Sequence, residues 1–268
     1  MKIKFLIKEF LFHLKNSFIV INEGARIKDK IIMIIYYITH ILNFLFLTSP
    51  NNKLLKNISI KNSHGLFISC NNRWSVQSLS SAFEPETKNS IDLKEGVFID
   101  IGANVGAYSL ILAKKLKNLV VIAIEPETKN FDLLKKNIAL NNLSNITALN
   151  QGCFSYKTKM NLYISLRGLG LHSIIKKVGK FKSIIQVDKL DNIVNGLKLT
   201  RIDLIKIDVE GAEYEVIRGA SKILKKYHPQ LIIEIWDNKR FNKIFDLLKK
   251  FNYKLKKRIY NESNYIFS

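Results

Sequence analysis

The chain has 268 residues, 47% of them hydrophobic and 24% charged, a composition that excludes a disordered chain and suits one catalytic domain with an extension. Its two cysteines, Cys70 and Cys153, exclude a disulfide framework and a cysteine-based zinc site, and they fit a reducing compartment. The formal net charge of +21 leaves open a solvated lysine-rich surface or an acidic partner such as an anionic lipid or saccharide, and the even spread of the lysines disfavours nucleic acid.

Residues 1–57 carry two apolar segments and are predicted to form an N-terminal helical extension. Residues 3–21 mix Ile, Leu and Phe with lysines, which predicts a basic amphipathic helix. Residues 31–48 form an apolar run at the lower edge of what spans a bilayer. His40 and Asn43 would share one helix face, which favours an interfacial or buried helix. Three interpretations stay open: a helical cap packed on the catalytic domain, a peripheral membrane anchor, and a transmembrane helix.

Residues 58–95 are predicted to form a small β-rich lead-in to the catalytic domain. Residues 58–60 and 66–69 alternate apolar and polar side chains on either side of the turn-forming segment 62–65, Asn-Ser-His-Gly. This pattern is typical of a β-hairpin.

From Gly96 onward the chain alternates buried strands with helices, which predicts an open α/β sheet over residues 96–268. Residues 97–101 form a strand that ends in a glycine turn and a helix, and residues 120–124 form a second strand that ends in Glu125 and Pro126. Ligands of such sheets bind beyond the carboxyl ends of the strands, where glycines let the backbone approach and an acid can accept hydrogen bonds from ribose hydroxyls. The cofactor-binding residues predicted here are Asp100, Gly102, Ala103, Asn104, Gly106, Glu125 and Pro126.

The spacing of the glycine turn favours S-adenosylmethionine over a dinucleotide. Asp100 stands before the first glycine, where its carboxylate can reach the amino-acid part of S-adenosylmethionine. Asn104 occupies the position of the second glycine in G-x-G-x-x-G, so the turn lacks the glycine that lets a backbone approach a pyrophosphate.

The strand predicted at residues 202–207 carries the candidate catalytic groups at its end, where Lys206, Asp208, Glu210 and Glu213 cluster. Asp208 is predicted to bind the acceptor hydroxyl or to take its proton, and Glu210 and Lys206 are predicted to share its cleft. Glu213 has an equally good structural interpretation as an acid in the first turn of a helix.

His172 is a second candidate for the proton acceptor. It lies in a Gly- and Leu-rich loop, residues 168–173, that could fold over the substrate as a lid. The acids and His172 lack the spacing of a metal site, so no metal is predicted.

In order along the chain, the motifs DIGANVG, EP and KIDVEGAE resemble the FkbM-type methyltransferases, a branch of the class I S-adenosylmethionine enzymes. The resemblance runs from about Gly96 to about Trp236. It implies a Rossmann-like fold with a seven-stranded, mostly parallel sheet and an antiparallel final hairpin. It also implies S-adenosylmethionine as cofactor, Gly152 as part of the cofactor site, and usually O-methylation of sugars or natural-product hydroxyls. Cys153 is a mild departure, because a small residue such as Ala is expected there.

The leading hypothesis is a cytoplasmic O-methyltransferase that acts on a saccharide or a lipid-linked glycan and contacts an anionic membrane surface through residues 1–50. A nucleic-acid methyltransferase is suggested by the charge alone, and the Asn/Asp-Pro-Pro-Tyr signature is missing after the fourth strand. A non-catalytic membrane-associated protein that retains the fold is the third hypothesis. The acids Asp100, Glu125 and Asp208 argue against it.

Overall fold

A computed structural model describes residues 17–45, 58–70, 72–164, 172–173 and 181–268. The N-terminal part consists of a helical stretch at 17–22, helix α1 (Ile27–Leu45), a hairpin of β1 (Ile58–Lys61) and β2 (Phe67–Cys70), and two short helices, α2 (Arg73–Ser78) and α3 (Pro85–Asn89). This hairpin confirms the one predicted from the alternation of apolar and polar residues in the sequence. Most of the amphipathic helix predicted at 3–21, and residues 46–48 of the apolar run, lie outside the described residues.

The catalytic domain begins with a strand–helix alternation. Its first elements are β3 (Gly96–Ile101), α4 (Ser109–Lys115), β4 (Leu119–Ile124), α5 (Thr128–Leu140) and β5 (Ile146–Leu149). A separate four-stranded sheet follows, made of β6 (Gly152–Cys153), β7 (Thr158–Ile164), β8 (His172–Ser173) and β9 (Phe181–Asp188) in the order β6-β9-β7-β8.

The remaining elements complete the main sheet. They are α6 (Leu190–Asn195), β10 (Leu204–Ile207), α7 (Glu213–Gly219), α8 (Ser221–Tyr227), β11 (Gln230–Glu234), α9 (Asn238–Lys249), β12 (Leu255–Ile259) and β13 (Asn264–Phe267). The strand order is β12-β13-β11-β10-β3-β4-β5. Strands β11, β10, β3, β4 and β5 are parallel, while β13 is antiparallel to both of its neighbours. The predicted seven-stranded sheet with an antiparallel final hairpin is confirmed.

Both faces of the central strands β3 and β10 are buried, and their successive residues point to opposite sides. In β3, Phe98 packs into one core, whereas Val97 and Ile99 pack into the other. The pairing of β10 with β3 places Lys206 beside Asp100 and sets their side chains on one face. The carboxyl ends of β3, β10 and β11 therefore meet at one edge.

The N-terminal elements share the core that contains Phe98. Met33 and Tyr36 of α1 and Ile58 and Ile60 of β1 are fully buried in it. The described part of α1 thus packs one face on the catalytic domain. Among the described residues, no helix has both the length and the apolar content needed to cross a membrane.

Candidate active site

A cleft opens at the carboxyl ends of β3, β4 and β10. Its space is about 930 Å³ when the open solvent at its mouth is counted. The predicted cofactor residues that line it are Asp100, Gly102, Ala103, Asn104, Glu125, Pro126 and Gly152. The predicted catalytic residues that line it are Lys206, Asp208 and Glu210. The structure therefore brings these predicted residues together in one cleft, and their roles stay predictions.

The glycine turn is held tightly against the end of β10. Gly102 has φ +80°, and a Cβ at this position would lie 1.8 Å from the carbonyl oxygen of Asp208. The N–H groups of Gly102 and Ala103 both donate to the carbonyl of Ile124, at 2.9 and 3.0 Å. Only glycine fits this close approach of two backbones.

Gly106 closes the glycine turn onto the helices that follow it. Its φ is +98°, and a Cβ would lie 2.7 Å from Leu134 Cδ1 and 2.8 Å from Leu110 Cγ. This glycine therefore lets the turn pack tightly on α4 and α5, and its contact with the cofactor stays a prediction.

Glu125 ties the end of β4 to the glycine turn. Its Oε2 accepts from the Asn104 N–H and its Oε1 from the Glu127 N–H, both at 2.8 Å. Burial raises the pKa of Glu125 to about 8, although these two N–H groups oppose the rise. Each carboxylate oxygen has a second lone pair, so the carboxylate can still accept hydrogen bonds from a ligand.

Asp100 is buried, and its carboxylate accepts hydrogen bonds from the start of the helix that follows its strand. Its Oδ2 accepts from the Ser109 hydroxyl at 2.6 Å and the Ser109 N–H at 3.2 Å, at the start of α4. Burial raises its pKa, and Lys206 opposes this. The side chain thus orders the turn as well as lining the cleft.

The buried Lys206 and the half-buried Asp208 and Glu234 form a network at the ends of β10 and β11. Lys206 Nζ lies 2.8 Å from Asp208 Oδ2. Burial would raise the pKa of Asp208, but Lys206 and a hydrogen bond from Glu234 hold it below its usual value. Burial and the charge of Asp208 raise the pKa of Glu234 to about 11. The opposite directions of the two shifts favour a proton on Glu234 that is donated to a charged Asp208.

Glu210 lies in the same cleft with the opposite tendency. Burial, then the charges of Asp208 and Glu213, raise its pKa to about 8. Its backbone has φ +54°, in the left-handed region that non-glycine residues seldom occupy. A carboxyl group whose pKa lies near the working pH is suited to take and return a proton.

The same corner also groups acids in a way that bears on metal binding. Within the described residues, Asp208, Glu210 and Glu234 each offer an oxygen within 4.8 Å of the others. This spacing could admit a cation, but the Lys206 ammonium already pairs with the Asp208 carboxylate.

Several residues of the site were missed by the sequence analysis. Ser78 and Phe83 line the cleft although they belong to the predicted lead-in. Glu84 accepts from the Tyr108 hydroxyl, and Lys206 Nζ lies 4.6 Å from the centre of the Tyr108 ring. No motif marks these lead-in residues. Glu234 did have a signal, because it is an acid at the end of a buried strand, like Asp100 and Glu125.

Two other candidates, His172 and Glu213, are not among the described residues that line the cleft. The backbone of His172 pairs with Ile164 in the small sheet, but its side chain and segments 165–171 and 174–180 lie outside the described residues. The lid hypothesis stays a prediction. Glu213 accepts from the Gly211 N–H at 2.6 Å at the start of α7, which favours its structural interpretation.

Residues 100–255 match the family described as the methyltransferase FkbM domain. This match covers more than half of the chain. The chain belongs to the FkbM methyltransferase family. The FkbM match includes the glycine turn, Glu125 and the whole Lys206–Asp208–Glu234 network, and it leaves out the lead-in residues Ser78 and Phe83.

Other proteins resemble this FkbM-family chain over a similar region. It is similar to methyltransferase sdnD of Sordaria araneosa, with 30% identity over 170 residues, 52% of this chain and 66% of that one. It is also similar to methyltransferase 1 of Beauveria bassiana, with 26% identity over 165 residues, 54% of this chain and 66% of that one. The matches thus span just under two thirds of these relatives. A solved methyltransferase FkbM from Methylobacillus flagellatus has 15% identity and a TM-score of 0.47, over 97% of this chain and 60% of that one.

S-adenosylmethionine is the cofactor of this family, and the described residues fit it. Asn104 Oδ1 is buried and has no hydrogen-bond partner among the described residues. An unsatisfied buried acceptor costs about 1–3 kcal/mol, and the amino group of the cofactor is a donor that would satisfy it. Gly102 lets the turn lie against the end of β10, and Glu125 offers the cleft an acceptor for the ribose hydroxyls.

Proposed function

We propose that this FkbM-family protein O-methylates a hydroxyl of an uncharged saccharide, as a free or lipid-linked glycan, on the cytoplasmic side of the cell. The observation that carries the proposal is the pair Asp208 and Glu210. The environment lowers the pKa of one carboxyl and raises that of the other to about 8. Two acids separated in this way can divide the binding and the deprotonation of a hydroxyl between them.

In the proposed reaction, Asp208 accepts a hydrogen bond from the acceptor hydroxyl and orients its oxygen. Lys206 and protonated Glu234 keep Asp208 charged and fix its position. Glu210, in its carboxylate form, takes the hydroxyl proton as the new O–C bond forms. Bound S-adenosylmethionine supplies an activated methyl group to this cleft.

The charges in the cleft favour an uncharged acceptor. Among its described lining residues, Asp100, Glu125, Asp208 and Glu210 carry carboxyl groups and Lys206 carries the positive charge. An anionic acceptor would face the charged Asp208 and would raise the pKa of Glu210 further, which opposes the ionisation of Glu210 that the reaction needs. The buried free cysteines, Cys70 and Cys153, support a reducing location.

The test has two stages. Calorimetry with S-adenosylhomocysteine first establishes cofactor binding, and failure to bind would overturn the assignment as a whole. Methyl transfer is then compared on neutral oligosaccharides, uronic-acid oligosaccharides and RNA. Transfer to the neutral set supports the proposal. Transfer to RNA or to uronic acids alone contradicts it.

Variants then test how the two acids divide the work. Glu210→Gln should lower the single-turnover rate by about 10²–10⁴-fold, the usual contribution of acid–base catalysis, with unchanged S-adenosylhomocysteine affinity. Glu95→Gln is the matched control, because its side chain is 63% exposed and lies outside the cleft lining. A Glu210→Gln rate close to that of the control would remove Glu210 from the role of base.

A further inference from the structure

Helix α1 exposes a continuous apolar face. Positions spaced three, four and seven residues apart share one side of a helix. Five isoleucines of α1 follow this spacing and are 42–79% exposed: Ile27, Ile31, Ile34, Ile35 and Ile38. We call them the isoleucine face. The opposite side, with Met33 and Tyr36, is fully buried on the catalytic domain. The helix therefore has one apolar side inside the protein and a second one outside.

Such a face indicates an interaction site. Single exposed apolar side chains are normal, but contiguous ones mark binding surfaces. These isoleucines have no part in the cleft, because its lining in the N-terminal region comes from Ser78 and Phe83. The isoleucine face therefore needs a partner other than the substrate.

The charge around the isoleucine face identifies the kind of partner. Among the described residues 17–45 the acids are Glu23 and Asp29, and both are buried: Glu23 accepts from the Ser81 N–H, and Asp29 pairs with Arg26. Lys28, next to Ile27, is exposed. The charge that this part of the chain presents to solvent beside the isoleucine face is thus positive, which complements an anionic membrane surface.

We propose that α1 docks this protein on an anionic membrane, with the isoleucine face among the lipid acyl chains and Lys28 among the headgroups. The helix lies parallel to the membrane, since its other side is fixed on the catalytic domain. A second copy of the chain on the same face is the alternative that the vesicle experiment below distinguishes. The inference goes beyond the proposed reaction and holds whichever hydroxyl is methylated.

Vesicle flotation of the full-length protein tests the inference. We expect binding to vesicles of phosphatidylcholine with phosphatidylglycerol, weaker binding in high salt, and little binding to pure phosphatidylcholine. The triple variant Ile31→Gln, Ile34→Gln, Ile38→Gln should bind the anionic vesicles at least about tenfold more weakly, because it removes three apolar side chains from the membrane contact. Lys28→Glu should weaken binding to anionic vesicles alone.

The matched control replaces three apolar residues that are exposed elsewhere: Val120→Gln, Leu140→Gln and Ile184→Gln, at sites 43%, 49% and 72% exposed. This control should float like the unaltered protein, and both triple variants should keep their melting temperature and S-adenosylhomocysteine affinity. Equal loss in the two triple variants would overturn the proposal. An unaltered protein that does not float would also overturn it. Light scattering would then show whether the protein is a monomer or a dimer that the α1 variant dissociates.

Discussion

Glu125 combines a structural and a ligand-binding task in one carboxylate. Replacing it with Ala should weaken S-adenosylhomocysteine binding by about 1.5–3 kcal/mol, the usual value of a charge-assisted hydrogen bond. Calorimetry measures the change, with Glu95→Ala as the control outside the cleft lining. Unchanged affinity in a folded Glu125→Ala protein would remove the ribose contact from this residue.

The raised pKa of Glu125 also predicts a pH dependence. Ribose hydroxyls donate to the charged form, so ligand binding lowers the pKa of Glu125 from its value of about 8 in the unliganded protein. Affinity for S-adenosylhomocysteine should be constant above pH 8 and fall as the pH drops below it, until the pKa of the bound state is passed. Glu125→Gln should flatten this part of the profile. A profile that keeps the same slope in Glu125→Gln would assign the titration to another group.

Substitutions at Glu234 test the electrostatics of the Lys206–Asp208–Glu234 network. Because protonated Glu234 donates to Asp208, Glu234→Gln keeps a donor there and should leave the melting temperature and the methyl-transfer rate nearly unchanged. Glu234→Ala removes the donor and should destabilise the protein by about 1–3 kcal/mol. Thermal melting and single-turnover rates separate the two. If Glu234→Gln is as damaged as Glu234→Ala, then Glu234 is ionised in the folded protein.

At the level of elements, α2 and the segment after it complete a cleft that is otherwise built from the sheet. The Ser78 hydroxyl is buried and has no partner among the described residues, and it lines the cleft. Ser78→Ala should therefore cost no stability and weaken ligand binding about three- to tenfold, the value of one neutral hydrogen bond. Ser155→Ala is the control, because that hydroxyl is equally without a partner but lies outside the cleft lining. Calorimetry and melting decide it, and equal affinity in both variants would exclude a Ser78 contact.

The predictability of these elements followed the range of the interactions that fix them. Strands β3, β4 and β10 were recognisable because apolar runs end in acids and glycines at fixed local spacing. The close packing of Gly106 on Leu110 and Leu134 could not be predicted, because it depends on how α4 and α5 pack. Ser78 and Phe83 were missed because they reach the cleft through tertiary packing that leaves no local pattern. The pKa difference between Asp208 and Glu210 likewise arises from burial and neighbours on other elements.

For the molecule as a whole, the N-terminal region is part of one folded unit with the catalytic domain. Asn137 of α5 exchanges two hydrogen bonds with the backbone of Ser69, at 2.8 and 3.2 Å. Glu262 accepts from the N–H groups of Glu86 and Thr87 near α3. A chain truncated to residues 96–268 loses these contacts and exposes the core around Phe98. It should lose cooperative melting and S-adenosylhomocysteine binding, and a truncated chain that binds with full affinity would make the N-terminal region a separate unit.

The contact between Glu23 and Ser81 has a consequence for how the enzyme finds its acceptor. Glu23 precedes α1, and Ser81 lies between Ser78 and Phe83 of the cleft. Helix α1 and the cleft are thus joined by a few residues, so the proposed docking of α1 would hold the mouth of the cleft at a fixed height above the lipid. If the acceptor is carried by a lipid, the enzyme and its substrate diffuse in the same plane. The rate should then follow the surface density of the acceptor in the bilayer and fall when inert lipid is added at a constant bulk concentration of acceptor.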